Sequence, residues 1–222
     1  MTDPAKAHRF GDYDLHTVVT APPYFENCYV VHHRPSGAQV IVDPGASPDL
    51  ILDTVRANGG AVAAILLTHG HADHVAGLAE VAAATGAPVY AHPAEAMILD
   101  MASDWAAQLL GRPLSLPPVT YFDAAAETLD VLGGVGVVAT PGHTPGGVCY
   151  VLDGFAVTGD TLFMQGVGRT DFPGGDGRQL VASITRFLDR VPAGTELFAG
   201  HGPSWMAADA RRWWAAMGPM MT

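Results

Sequence analysis

The chain is short of charge, and the charge it has is mostly of one sign. Asp, Glu, Lys and Arg make up 15% of its 222 residues, with 11 Lys and Arg against 22 Asp and Glu, a formal net charge of −11. Without a basic stripe to neutralise phosphates, nucleic acid is not an expected partner. No apolar run approaches the roughly 18 residues that would cross a bilayer, so no membrane is expected either. The segment Met1–Phe10 carries Asp3, Lys6, His8 and Arg9 and lacks the apolar core of a secretory leader. The only cysteines, Cys28 and Cys149, lie far apart in apolar surroundings with no Cys-x-x-Cys spacing. They read as buried strand thiols rather than a disulfide pair. These absences predict a soluble, cytoplasmic protein.

Apolar residues, by contrast, reach 49%, and there are 26 glycines and 17 prolines. That length and composition suit one compact domain with many tight turns. Residues 1–222 read as a single domain ending in a short helical tail from about residue 203. No solenoid-length repeat or low-complexity linker interrupts it.

Apolar runs predict strands at Leu15–Thr20, Asn27–His33 and Gln39–Val42. A helix follows, with Ser47 as N-cap, Pro48 at the first position, and Asn58-Gly59-Gly60 as its stop. Strand Ala61–Leu67 and helix His74–Thr85 come next, the helix presenting Val75, Leu78, Ala79 and Ala82 to a sheet. Pro88–Ala91 reads as a strand and Pro93 to about Leu110 as a helix. The remainder is strand-rich: Val119–Phe122, Thr128–Val131, Val135–Thr140, Val148–Leu152 and Phe155–Thr158. Helix Gln179–Arg190, strand Leu197–Ala199 and helix Ala207–Met217 complete the chain. Strand–helix alternation followed by a strand-rich half suggests two sheets faced by helices.

Chemistry is concentrated at Thr68–His74, Thr-His-Gly-His-Ala-Asp-His, directly after the buried strand Ala61–Leu67. Imidazole and carboxylate suit zinc, and iron and manganese accept them. On a turn, His69 and His71 can converge on one ion while Asp73 and His74 face a second. A solvated histidine-rich loop is the alternative, but such a loop has no reason to follow a buried strand. Three further candidates, His143, Asp160 and His201, each stand at the end of an apolar run among glycines. Glycine allows close backbone approach and tight bends, so strand-end loops can carry these side chains to one point.

This ordered set, His-x-His-x-Asp-His at 69–74 with His143, Asp160 and His201, resembles the metallo-β-lactamase superfamily over Asp43–His201. The resemblance implies an α/β fold, an αβ/βα four-layer sandwich of two mixed sheets flanked by helices. It also implies two divalent metal ions on one edge, zinc first, with iron or manganese as alternatives. His69, His71 and His143 would hold one ion, Asp73, His74 and His201 the other, and Asp160 would bridge them. A hydroxide held between the ions would attack a carbonyl, with Asp73 orienting it as well as serving as ligand. No Gly-x-Ser-x-Gly nucleophile setting is present.

Exported β-lactamases of this kind usually carry Cys where Asp160 stands. Flavodiiron proteins carry Glu in place of His71 and add a flavin domain. The superfamily's nucleases usually add RNA-binding or further catalytic segments, and the acidic balance speaks against them. Thr158–Phe163 followed by Gly168–Asp176, Gly-Arg-Thr-Asp-Phe-Pro-Gly-Gly-Asp, resembles short glyoxalase II-like hydrolases of glutathione thioesters such as S-lactoylglutathione. Gly-Arg-Thr-Asp-Phe also occurs in persulfide dioxygenases, where one iron would sit on His69, His143 and Asp160. The Pro-Gly-Gly-Asp continuation and the length favour the hydrolase, with a small-molecule thiol conjugate as partner. A lactonase and a non-enzymatic metal-binding module are weaker readings.

Arg169 is the substrate candidate, since a guanidinium near the metals can pair with a carboxylate. Its alternative is an ion pair with Asp171 or Asp176. Asn27, Cys28 and Tyr29 read as packing and His92 as structural, while His8, His16, His32 and His33 read as ordinary surface or strand residues. Full-length glyoxalase II has a basic C-terminal helical domain. Here residues 202–222 follow His201 and include Trp205, Arg211, Arg212, Trp213 and Trp214, so another thiol carrier than glutathione is open. Adjacent tryptophans cannot share a helix face. One is expected to cap the core and the other to cover a neighbour or a substrate rim.

Overall fold

The structure, a computed structural model, describes residues 7–22, 24–109 and 111–220. The segment read as lacking a leader lies partly outside them, at residues 1–6. The first half forms a seven-stranded sheet in the order β1 (His8–Phe10), β2 (Tyr13–Val19), β3 (Asn27–His33), β4 (Ala38–Val42), β5 (Val62–Leu66), β6 (Val89–Ala91) and β7 (Val119–Tyr121). Along this half run helices α1 (Pro48–Asn58), α2 (Ala72–Val75), α3 (Leu78–Thr85) and α4 (Ala96–Leu109).

The second half supplies β8 (Thr128–Leu129), β9 (Val135–Ala139), β10 (Val148–Leu152), β11 (Phe155–Gly159), β14 (Glu196–Ala199) and β15 (Trp205–Met206). Together they make a six-stranded sheet in the order β15-β14-β11-β10-β9-β8. A small hairpin, β12 (Leu162–Phe163) and β13 (Gly166–Val167), stands apart from both sheets. Helices α5 (Gly177–Arg190) and α6 (Ala207–Met217) belong to this half.

Strand periodicity explains the layering. In β3, Tyr29 and Val31 point into a core shared with Val137, Val148, Tyr150, Phe155 and Phe198 of the other sheet. Their neighbours Cys28 and Val30 point the opposite way, into a core with Ile51, Leu78, Val81 and Leu99 of the first-half helices. In the second sheet Cys149, Ala156 and Leu197 face Leu180, Ile184, Phe187, Ala210 and Trp214 of α5 and α6. Successive side chains leave opposite faces of a strand, so strands buried on both faces must be apolar throughout. That demand accounts for the 49% apolar content. The result is the expected four-layer sandwich, and both cysteines are buried and free. Among the described residues, no helix is long and apolar enough to cross a membrane.

Several local expectations are corrected. The helix expected over His74–Thr85 is two pieces, α2 and α3, broken at Ala76-Gly77. The Gly77 N–H donates to the Pro44 carbonyl at 3.0 Å instead of continuing the helical ladder. A Cβ on Gly77 would collide with the Gly45 carbonyl oxygen. Ser47 occupies the N-cap position of α1 but does not cap it. Its backbone sits at φ 89°, and its hydroxyl accepts the Ala21 N–H at 3.0 Å. Asn27 and Tyr29 do more than pack. Asn27 Nδ2 donates to the carbonyls of Ala199 (3.0 Å) and Gly202 (2.9 Å), and the Tyr29 hydroxyl donates to that of Ala199 at 2.5 Å. The first sheet thereby fixes the loop that carries His201.

The tail folds back on the second sheet. Trp214 Nε1 donates to the Thr185 hydroxyl at 3.0 Å, and the Trp213 ring lies edge-on to Trp205, 5.9 Å between centroids. Arg211 donates to the carbonyls of Leu188 and Val191 at the end of α5. Both adjacent tryptophans therefore serve the core face.

Candidate metal centre

The candidate ligands sit where strands stop. His69 and His71 follow β5, Asp73 and His74 lie on α2, His143 follows β9, Asp160 follows β11 and His201 follows β14. Two glycines make the bends. Gly159 takes φ 48° with its Cα against the Thr68 side chain, and Gly142 takes φ 137° against the backbone of Leu180. A side chain at either position would be strained and would clash.

The loops bring the seven candidates together as two triads with Asp160 between them. Ligand atoms of His69, His71 and His143 lie within 4.8 Å of one another, as do those of Asp73, His74 and His201. Asp160 spans the two groups. Its Oδ2 is 3.6 Å from His143 Nε2 and 3.7 Å from His201 Nε2, and its Oδ1 is 3.3 Å from His74 Nε2. Asp43, His69 and His74 also cluster. Both Asp43 oxygens are occupied, however: Oδ1 by the Thr68 N–H at 2.7 Å, and Oδ2 by the Thr68 hydroxyl at 2.5 Å and His74 Nδ1 at 3.0 Å. Asp43 is an outer support, and its only sequence cue is its place at a strand end.

The imidazoles are oriented from behind. His143 Nδ1 donates to the Arg169 carbonyl at 2.7 Å and His201 Nδ1 to the Tyr24 carbonyl at 3.2 Å. His69 Nδ1 lies 3.1 Å from the Thr68 hydroxyl oxygen, whose own proton goes to Asp43. Each such bond places a ring proton on Nδ1, so that Nε2 is the nitrogen that can offer its lone pair to the centre. The Nε2 atoms of His69, His71 and His143 are buried without a hydrogen-bond partner. Buried polar atoms rarely go unsatisfied, and a divalent ion is the partner this donor set fits.

Burial pushes His69 well below the ordinary histidine range and His71 down to about 3, with the neighbouring imidazoles adding to the effect. Burial also opposes charge on His74, yet the Asp160 and Asp73 carboxylates overcome it and hold His74 well above that range. His201 is raised in the same way, chiefly by its hydrogen bond to Asp73. Burial raises Asp160 and Asp73, but His74 outweighs it and both fall below the ordinary carboxylate range. The carboxylates are therefore ionised at neutral pH, and His69 and His71 are neutral ligands in waiting.

Buried Glu95 joins two ligand loops. Its Oε2 accepts the Gly70 N–H at 2.8 Å and its Oε1 the Gly146 N–H at 2.7 Å. The triads open into a cavity of about 630 Å³, whose wall includes Tyr24, Trp105, Gln108, Phe163 and Phe172. Phe163 and Phe172 belong to the two motifs of the sequence but carry no role there, and Tyr24, Trp105 and Gln108 have no sequence signal. Arg169 does line the cavity. Its guanidinium is engaged by Asp171, Nε to Oδ1 and a terminal nitrogen to Oδ2, both at 2.6 Å. Asp176 instead caps α5 by accepting the Gln179 N–H at 3.0 Å. His92 Nδ1 accepts the Ala94 N–H at 3.2 Å, the structural role expected of it.

Residues 21–201 match the family model described as the metallo-beta-lactamase superfamily. The hydroxyacylglutathione hydrolase GloC of Haemophilus influenzae is 30% identical over 190 residues, covering 83% of this chain and 89% of that protein. The crystal structure of TTHA1623 in a di-iron-bound form is 36% identical with a TM-score of 0.76, covering 87% of this chain and 96% of that one. The crystal structure of the BLEG-1 B3 metallo-beta-lactamase is 30% identical with a TM-score of 0.82, covering 94% and 99%.

Proposed function

The chain belongs to the metallo-β-lactamase superfamily, and within it we propose a thioester hydrolase that uses two divalent metal ions. Its substrates are S-acyl derivatives of glutathione or a related low-molecular-weight thiol. The observation that carries this reading is the completeness of both triads, with Asp160 spanning them at the base of one cavity. The likeness to GloC supports the thioester class, and the likeness to a di-iron protein makes iron as admissible as zinc.

His69, His71 and His143 would hold one ion, and Asp73, His74 and His201 the other, with Asp160 between. Ions bound there supply Lewis acidity and bring the pKa of a water to about 7. The chain's own groups do the positioning. Asp73, ionised and 3.3 Å from His201 Nε2, accepts a hydrogen bond from the attacking water and aims it. His69 and His71, neutral by burial, keep their lone pairs available without a competing proton. Aromatic rings in the cavity wall make the surroundings of the acyl group less polar. The balance is simple: water adds to the acyl carbon, the C–S bond breaks, and a carboxylic acid and a thiol leave.

The test is to load the protein separately with Zn²⁺ and Fe²⁺ and follow loss of thioester absorbance with S-lactoylglutathione. Turnover that disappears in His71→Ala and Asp73→Ala is the expected result. An iron-loaded protein that leaves the thioester intact and consumes oxygen with glutathione persulfide would overturn it in favour of the dioxygenase. The likeness to BLEG-1 makes a chromogenic β-lactam the necessary control.

A further inference from the structure

Four aromatic rings line the cavity, Tyr24, Trp105, Phe163 and Phe172, and none belongs to any of the three hydrophobic cores. An apolar ring kept out of a core and turned towards a cavity is available to a ligand. Two of the rings converge on one metal-side imidazole. Trp105, from α4, and Phe172, from the loop after β13, each stand 5.4 Å from the His71 ring. They lie 6.1 Å from each other at an interplanar angle of 34°, in contact, so that with His71 they form one continuous aromatic face on the cavity wall.

The loop holds Phe172 in place from the outside. The Arg169 guanidinium carbon sits 4.1 Å over the Phe172 ring while its Nε–Nη2 edge goes to both oxygens of Asp171. This arrangement fixes the ring and neutralises the cation in one step. Among the described residues lining the cavity, Arg169 is the sole Lys or Arg. A carrier with two carboxylates, such as glutathione, therefore meets one guanidinium already paired, in a chain of net charge −11.

We propose that the Trp105–Phe172 face beside His71 binds an apolar substituent of the acyl group, so that the enzyme selects its thioesters by acyl side chain rather than by the charge of the thiol. The substrate class is the thioester of a 2-hydroxy acid or related acid bearing a ring or a branched hydrocarbon. Its reaction rests on the thioesterase reading above, but its binding does not.

The experiment compares S-mandeloylglutathione with S-lactoylglutathione, which share a carrier and differ by phenyl against methyl, on the zinc-loaded enzyme. Wild type is expected to favour the mandeloyl ester by about tenfold or more in kcat/KM, since even one methylene in an apolar pocket is worth that order. The ratio should fall towards one in Trp105→Ala or in Phe172→Leu. The second variant lies on a loop at a residue 37% exposed, so it tests the aromatic face even where the first fails to fold. A wild-type ratio near or below one, or a ratio preserved in both variants, overturns the proposal. If no thioester is cleaved, the hydrolase reading falls and the aromatic face is judged by calorimetry with the free acids. Mandelate binding about tenfold tighter than lactate, with the preference lost in Phe172→Leu, supports it; equal binding overturns it.

Discussion

His74 Nδ1 lies 3.0 Å from Oδ2 of Asp43, and both side chains are closed off from water. Asp43 itself takes φ 50°, the left-handed conformation that aspartate tolerates better than most residues. Its carboxylate also receives the Thr68 N–H and hydroxyl, so one residue orients a candidate ligand on α2 and the start of the loop that carries His69. Asp43→Asn keeps the shape but turns an amide NH₂ towards groups that donate. Loss of such an outer partner costs about 10–100-fold in metal affinity, and chelator competition on the folded variant is the measurement.

Metal uptake should release protons. In the metal-free protein, carboxylates hold His74 well above, and His201 above, the ordinary histidine range, so ions must displace those protons. Apparent affinity should therefore tighten as pH rises from 6 to 8, by about tenfold per pH unit for each proton displaced. Titrations in buffers of different ionisation enthalpy would count the protons, and a pH-independent affinity would contradict the assignment.

The same groups set the acid response of the metal-free fold. His74 and His201 have raised pKa values, so their stabilisation is complete below about pH 6.5 and lost as pH climbs through the folded values. Asp73 and Asp160 run the other way, stabilising above about pH 4 and losing that contribution as pH falls through their depressed values. His71, pushed down to about 3, stays neutral when folded but charges when unfolded, so it weakens the fold between about pH 6.5 and 3. Denaturant titrations of wild type and His71→Asn should show a smaller loss of stability on acidification in the variant.

Chelation should loosen more than the centre. Four candidate ligands come from the first half of the chain and three from the second, so ions that bind only the folded form also fasten one sheet to the other. At free metal about a thousandfold above Kd, linkage adds about 4 kcal/mol. Removing the metal with a chelator should lower the melting temperature by several degrees, and returning it should restore the melt.

Glu95→Gln should show itself even without metal. Its carboxylate accepts both the Gly70 and Gly146 N–H groups, whereas a carboxamide offers one oxygen and presents an NH₂ to the other donor. An unsatisfied buried donor costs about 1–3 kcal/mol. The metal-free variant should unfold at lower denaturant concentration with an unchanged slope.

What the sequence disclosed followed from rarity and repetition. Histidine and aspartate packed into 69–74, and lone ligand types beside glycine at strand ends, have few physical explanations, and the structure brings those seven residues together. Double-sided burial made most strands visible as apolar runs. Short pieces such as β1, β15 and the β12–β13 hairpin carry too few residues to show a period. The break at Gly77 has no signal in the sequence because its cause, the backbone of Pro44 and Gly45, is distant in the chain while the apolar spacing runs on unbroken. The aromatic wall was invisible for a similar reason. Trp105 looks like any helical tryptophan until the loop bearing Phe172 is laid beside it.

The bond from His143 Nδ1 to the Arg169 carbonyl, with Gly168 packed so closely that a Cβ would meet the His143 ring, bears on how such a protein diverges. The main chain of that segment is committed to the centre, while the side chains of Arg169 and Phe172 line the cavity and that of Asp171 holds Arg169. Point substitutions there can explore new acyl groups while leaving the ligands seated. An insertion or deletion in the same stretch would withdraw the carbonyl from His143. Descendants of this chain are free to vary residue by residue along that wall, but not to lengthen it.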